Sequence, residues 1–211
     1  MTGTVGIEVG WIDHVLAAEF PDLALRYVVV EARLEASPPE LLGQLADLST
    51  RFRGRQAIAL PTKPVPSAYR AFFRQIGLDP DVHRNPAEAV SYNRIMRGTF
   101  RSFNRVADSI LATIVETHIA LGALDADALS MPLGIRPGDD GVLGLVDADH
   151  RIGPLFGSPE HPFEPSARTE HVAVTAVGVA GIPSWMLDHA LWRVADHLGF
   201  ALDSEEDPSV R

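Results

Sequence analysis

Any chemistry this chain performs has to be carried by oxygen and nitrogen groups. Its 211 residues include no cysteine, which removes thiolate metal sites, iron–sulfur clusters, disulfides and cysteine nucleophiles together. Asn104 and Asp108 stand four residues apart in the clearest helical pattern of the sequence. They project from the side opposite its apolar stripe, with Arg105 beside them and Arg97 and Arg101 just upstream. An amide and a carboxylate at this spacing can bond an amino group or ribose hydroxyls while the arginines hold phosphates. The same residues also read as a helix start, with Asn104 capping the first turn and Asp108 pairing with Arg105 or Arg101. Both readings stand at this level.

Other reactive patterns are weak or missing. The eight histidines are scattered, and only Asp147-x-Asp149-His150 and Glu160-His161 set a carboxylate near an imidazole. Those spacings match no metal-ligand pattern, so no metal is expected. His118 falls on an apolar face and reads as a core or boundary residue. No glycine-rich phosphate loop, G-x-S-x-G elbow or H-E-x-x-H occurs, so nucleotide hydrolysis, serine esterase chemistry and zinc proteolysis lack their signatures.

The charge is split by sign along the chain. The formal net charge is -10, yet Arg51 to Arg105 holds eleven basic residues against Asp79, Asp81 and Glu88, a local net of +8. Ten of those eleven cations are arginine, whose planar fork suits phosphate oxygens better than a lysine point charge does. That composition reads as an RNA or other polyanion footprint, or as arginines paired with the acidic flanks. The overall acidity argues against non-specific coating of nucleic acid.

The elements that must position these residues follow from periodicity. Residues 5–9 and 26–34 read as strands around a helix over 11–20, and Ser37-Pro38-Pro39-Glu40 opens a helix to about Phe52, with Ser37 as its cap. Three prolines in residues 60–66 predict a non-helical connector. Helices are expected over 67–76, 87–96 (ended by Gly98), 103–121 and 183–198, and strands over 131–135, 142–146 and 172–179. Helices bunched between sets of strands predict an α+β fold. One domain is expected over 1–200, with an acidic, frayed tail over 201–211. No apolar run is long enough for a membrane span and the first twenty residues lack a signal pattern, so a cytoplasmic location is expected.

An ordered string of motifs resembles a known family. Ala68-Tyr69-Arg70-Ala71-Phe72, Gly77-Leu78-Asp79-Pro80, Arg94-Ile95-Met96-Arg97-Gly98, Phe103-Asn104-Arg105-Val106-Ala107-Asp108 and Gly122-Ala123-Leu124-Asp125-Ala126-Asp127-Ala128-Leu129 follow one another in sequence. Together they resemble the B3/B4 domain, the aminoacyl-tRNA editing module in the β subunit of bacterial phenylalanyl-tRNA synthetase, and especially its free-standing relatives. The resemblance implies a single α+β domain with helices packed around mixed sheets, which form a β-sandwich of unusual topology. It also implies a pocket that takes the misacylated 3′ end of a tRNA and hydrolyses the ester in trans. It assigns catalytic positions to Asn104, Glu164 and Thr169, with Glu160 competing for the place of Glu164. Substrate-binding positions fall on Asp108, Gly122 and Asp125, and RNA-binding positions on Arg94, Arg97, Arg101 and Arg105. The implied partner is aminoacyl-tRNA, with no cofactor, no DNA and no membrane. The chain departs from the synthetases at Gly122, where they carry histidine, and at Leu111, where they carry asparagine; the glycine matches several free-standing members. A pocket of the same fold that binds a free amino acid or metabolite without catalysis is the alternative.

Overall fold

The computed structural model describes residues 4–52, 54–138 and 141–202. The chain opens with three short strands, β1 (Thr4–Val5), β2 (Glu8–Val9) and β3 (Trp11–Ile12). The helix α1 (His14–Glu19) and the long strand β4 (Ala24–Glu31) follow. A helical block comes next: α2 (Pro39–Arg51), α3 (Gly54–Ala59), α4 (Pro64–Gln75), α5 (Pro86–Arg97) and α6 (Arg105–Thr117). Then come the strands β5 (Ala120–Asp125), β6 (Gly134–Pro137), β7 (Leu143–Val146), β8 (Arg151–Pro154) and β9 (His171–Gly178). Helix α7 (Ser184–His197) and the strand β10 (Ala201–Leu202) close the chain.

One four-stranded sheet has the order β2-β4-β9-β5 and is antiparallel throughout. The other, β3-β6-β7-β8, is mixed because β3 pairs with β6 in parallel. Both contribute to one core in which Tyr27, Val28, Val172 and Val174 of the first sheet join Ile135, Leu145 and Ile152 of the second. Aromatic side chains of α4 complete it: Tyr69, Phe72 and Phe73 surround Phe156, with ring centroids 5.9, 6.1 and 5.0 Å away. A smaller cluster forms where Leu41, Leu45 and Leu48, one stripe of α2, meet Ala112 and Val115 of α6. The fold is α+β in a single domain with no closed barrel.

Several local expectations are corrected. Trp11 and Ile12 form β3 and not the start of a helix; Asp13 then caps α1 by accepting from the Val15 N–H at 2.9 Å. The proline connector is largely helical: residues 60–62 make a 3-10 turn and α4 begins at Pro64. Pro64 and Pro66 sit in the first turn, where the missing N–H groups would have no intrahelical acceptor. Ser37 does not cap α2 and instead donates from Oγ to Asp108. The helix expected to reach residue 121 stops at Thr117, because His118 adopts the left-handed conformation (φ 62°) and turns the chain into β5. The strand expected over 131–135 lies at Gly134–Pro137. Residues 201–202 are not tail: β10 pairs in parallel with β1, and the rest of the expected tail lies outside the described residues. Among the described residues no helix is long and apolar enough to cross a membrane.

Candidate functional site

A cavity of about 380 Å³ opens where β5 and β8, each the last strand of its sheet, face the helix α5. Its floor is the face of the first sheet that carries Ala120, Gly122 and Leu124 on β5 and Thr175 and Val177 on β9. Gly122 and Thr175 are direct cross-strand partners. A Cβ at position 122 would stand 3.1 Å from Thr175 Oγ1, so the glycine leaves the hydroxyl uncovered. Thr175 is buried, and its side chain has no hydrogen-bond partner among the described residues. The roof is the segment 153–159. Here Gly153 approaches the chain so closely that a Cβ would meet Ser158 O at 3.0 Å and Pro159 Cα at 3.2 Å. Gly157 N–H closes the turn on Pro154 C=O at 3.0 Å. The outer wall is α5, contributing Pro86, Ala89, Val90 and Asn93.

The register of α5 is set at both ends. Asn85 caps it, its side chain accepting from the Glu88 N–H at 3.1 Å, and Pro86 occupies the first turn. Gly98 ends it in the left-handed conformation (φ 76°). This places Asn93 on the cavity side and the pair Arg94 and Arg97 one step around the helix.

A second concavity, about 270 Å³, adjoins the first along Val90 and Asn93, which line both. Its walls carry Arg94, Arg97 and Arg101 with Phe100 and Phe103. Phe103 is 66% exposed, too much for a packing role, and the Arg101 guanidinium lies 6.0 Å from its ring centroid. Arg97 and Arg101 are exposed and make no hydrogen bond or ion pair among the described residues. Arg84 stands at the rim of the larger cavity, 4.3 Å from the centroid of the Tyr92 ring, and is the one charged residue of its lining among the described residues.

The residues singled out from sequence fall into three groups. Gly122 lines the main cavity, and Arg94, Arg97 and Arg101 line the adjoining one. A second group holds the fold together. Asn104 caps α6 by accepting from the Ala107 N–H at 2.9 Å. Asp108, fully buried, accepts from the hydroxyls of Ser37 and Ser102 and from the Phe103 N–H at 3.0 Å, and not from Arg105 or Arg101. Asp125 and Thr169 meet each other: Thr169 Oγ1 donates to Asp125 Oδ2 at 2.6 Å and accepts from the Ser166 N–H at 2.9 Å. The Arg105 guanidinium donates twice to His197 C=O (3.1 and 2.8 Å), and that of Arg94 donates twice to Ser49 C=O (3.3 and 2.7 Å). The third group is Glu164 and Glu160, exposed on the loop after β8 and absent from the lining of either concavity. Glu160 comes nearest, directly following the lining residue Pro159, with its N–H on Ile152 C=O at 2.7 Å.

Sequence reasoning missed Asn93, Ser158 and Thr175, which with Arg84 supply the polar side chains of the main cavity. Thr175 had a visible signal, being the one hydroxyl in the apolar run from Val172 to Val179. No group of three or more metal-ligating side chains occurs among the described residues. The arrangement can hold a small, largely apolar group over one hydroxyl, with a basic and aromatic surface beside it for a longer anionic ligand. No family model matches the chain, and no curated protein sequence matches it.

Proposed function

We propose that the protein binds the aminoacylated 3′ end of tRNA and hydrolyses mischarged aminoacyl-tRNA in trans, as a protein of the B3/B4 type residing in the cytoplasm. The observation that carries this reading is the continuity of the two concavities along Val90 and Asn93. An aminoacyl group in the larger one leaves its ribose and terminal base over Phe100 and Phe103, with Arg97 and Arg101 next to the phosphates. In the reaction, water adds to the ester carbonyl carbon and the bond from that carbon to the ribose oxygen breaks. One proton of the water goes to the departing ribose oxygen and the other to solvent, and the amino acid is released as its carboxylate. The step needs a positioned water, donors for the oxyanion and a pocket that excludes the cognate side chain, and it asks for no cysteine. Thr175, Ser158, Asn93 and Arg84 are the polar side chains that line the cavity holding such a group.

A second reading, binding of a free amino acid or related metabolite without hydrolysis, is favoured by one observation. Asn104 Oδ1 and Thr169 Oγ1, on residues where the resemblance places catalysis, are engaged in a helix cap and on Asp125. The deciding experiment is the hydrolysis rate of a panel of tRNAs charged with cognate and non-cognate amino acids, with free amino acids as competitors. Trans-editing predicts a rate above spontaneous hydrolysis for at least one mischarged species, lowered by Gly122→Val, which fills the floor. Uniform inactivity together with thermal stabilisation by a free amino acid establishes the second reading.

A further inference from the structure

The free edge of β5 presents main-chain groups to the cavity in a fixed order. Just beyond the β4–β9 ladder, Ala32 N–H donates to Glu170 C=O at 2.9 Å. Even-numbered residues of β9 therefore bond to β4, and odd-numbered ones face β5. Gly122 and Leu124 lie opposite Thr175 and Ala173 and so bond inward to β9. Ala120 lies opposite Val177, and there the buried Tyr69 hydroxyl is threaded into the rung. It accepts from Ala120 N–H at 3.0 Å and donates to Val177 C=O at 2.6 Å. The N–H and C=O of Leu121 and Ala123 consequently point off the sheet. Asp125, next in that series, sends its N–H to Phe163 C=O at 2.9 Å. Leu121 and Ala123 both line the cavity, and neither makes a hydrogen bond outside the ladder among the described residues.

The C=O of Leu121 and the N–H of Ala123 thus bracket Gly122. In a parallel sheet, one residue of a neighbouring strand places its N–H on the C=O of residue i−1 and its C=O on the N–H of residue i+1. Its side chain then lies beside residue i on the same face. An α-aminoacyl group contains the same N–Cα–C=O unit. Resting on the assignment of the cavity to an aminoacyl group, the geometry points to main-chain recognition of that group as a one-residue parallel strand on β5. The ammonium donates to Leu121 C=O, the acyl oxygen accepts from Ala123 N–H, and the side chain lies beside Gly122 on the face that carries Thr175. Main-chain bonds then serve every α-amino acid alike, while the floor contacts the side chain. Absence of a Cβ at Gly122 leaves room for it. Handedness follows: an L-aminoacyl group directs its side chain to the floor, and a D-aminoacyl group directs it to the opposite face. Ala123 N–H also sits where negative charge gathers when water adds to the carbonyl.

The test uses the full chain and 3′-L-alanylamino-3′-deoxyadenosine, its D-alanyl epimer, its desamino (propionyl) counterpart and free L-alanine amide. Alanyl is chosen because its side chain is small. Amide resonances are followed by NMR, with Ala123→Pro as the variant; proline on an edge strand removes this outward N–H and leaves the β9 ladder intact. The L-alanyl conjugate is expected to move the Ala123 amide downfield and slow its exchange. The propionyl and D-alanyl compounds are expected to bind about tenfold more weakly, as is the L-alanyl conjugate to the proline variant. Shifts at Gly122 and Thr175 with Ala123 unmoved, or equal affinity for the propionyl compound, would overturn the clamp and leave the cavity assignment standing. If L-alanine amide gives the Ala123 signature and the adenosine conjugate does not bind, the clamp holds and the RNA reading fails. Binding by no probe at millimolar concentration overturns both. Should Ala123→Pro fail to fold, the wild-type shifts and the analogue series decide.

Discussion

Asp108 shows how one side chain can decide between a structural and a chemical role. Its carboxylate collects three donors from two places: the hydroxyl of Ser37 before α2, and the hydroxyl of Ser102 with the Phe103 N–H just before α6. Ser37 lies far away in sequence, and the buried acceptor ties it to the start of α6, where Asn104 satisfies a further helix-end donor. Replacing Asp108 by alanine removes the acceptor of the half-buried Ser37 hydroxyl, the Ser102 hydroxyl and the Phe103 N–H together. The expected loss is about 3 kcal/mol of unfolding free energy, read from urea denaturation. A ligand-binding role alone would predict a loss of affinity at unchanged stability. The sequence displayed Asn104 and Asp108 as a pair facing away from the apolar stripe of one helix; instead Asn104 precedes α6 as its cap and Asp108 is buried inside the fold. It did not show that Ser37 and Ser102 would take up the carboxylate, because those contacts are made by the tertiary fold. For the same reason Arg94 and Arg105, alike in sequence with Arg97 and Arg101, end on the carbonyls of Ser49 and His197.

At the level of elements, the junction between α6 and β5 sets the geometry of the cavity floor. His118 stops the helix in a left-handed conformation, and two residues later the Tyr69 hydroxyl is inserted between Ala120 N–H and Val177 C=O. Tyr69→Phe removes the bridge and leaves a buried N–H and a buried C=O facing each other too far apart to pair directly. It is expected to cost about 2 kcal/mol and to speed amide exchange at Ala120, which hydrogen-exchange NMR would detect. The junction is also sensitive to acid. Lys63 Nζ donates to His118 Nε2 at 3.0 Å, and burial, with the neighbouring lysine adding to it, pushes the His118 imidazole down from 6.5 to about 4. The folded state keeps the ring neutral where the unfolded chain has already bound a proton. Stability from this group is therefore whole above pH 6.5 and falls as the pH drops from about 6.5 to about 4. Wild type should lose more of its urea midpoint between pH 7 and pH 4.5 than His118→Asn, since asparagine also tolerates the left-handed turn. Parallel losses would exclude the mechanism. Most helices were legible because their stripes and caps are local: Asn85-Pro86 and Gly98 delimit α5 as expected. The strand β5 was hidden because Leu121 continues the helical spacing of α6, and only the backbone at His118 breaks it. Prolines 64 and 66 misled in the opposite sense, since a first turn accepts what a helix interior rejects.

For the whole molecule the decisive property is the distribution of charge. Outside residues 51–105 the chain carries seven basic and twenty-five acidic residues, a net of -18, against +8 within them. The fold consumes part of the basic segment. Arg94 and Arg105 bind carbonyls, and Arg70, 14% exposed, is held between Asp81 and Glu88. Arg97 and Arg101 remain exposed beside Phe100 and Phe103. A single-stranded RNA end bound there should release counterions in proportion to the phosphates met by these side chains. Each of Arg97→Ala and Arg101→Ala is then expected to reduce the slope of log affinity against log salt by about 0.7. Arg94→Ala should act differently, lowering stability through the unpaired Ser49 carbonyl, with a smaller change in slope. Because the chain as a whole carries a net charge of -10, duplex RNA lacking a free 3′ end should bind weakly even at low salt. Fluorescence anisotropy with a labelled acceptor-stem hairpin, with and without its single-stranded end, measures all of this in one titration series. Equal binding of the two hairpins, or slopes unchanged by both arginine substitutions, would remove this groove as the RNA contact.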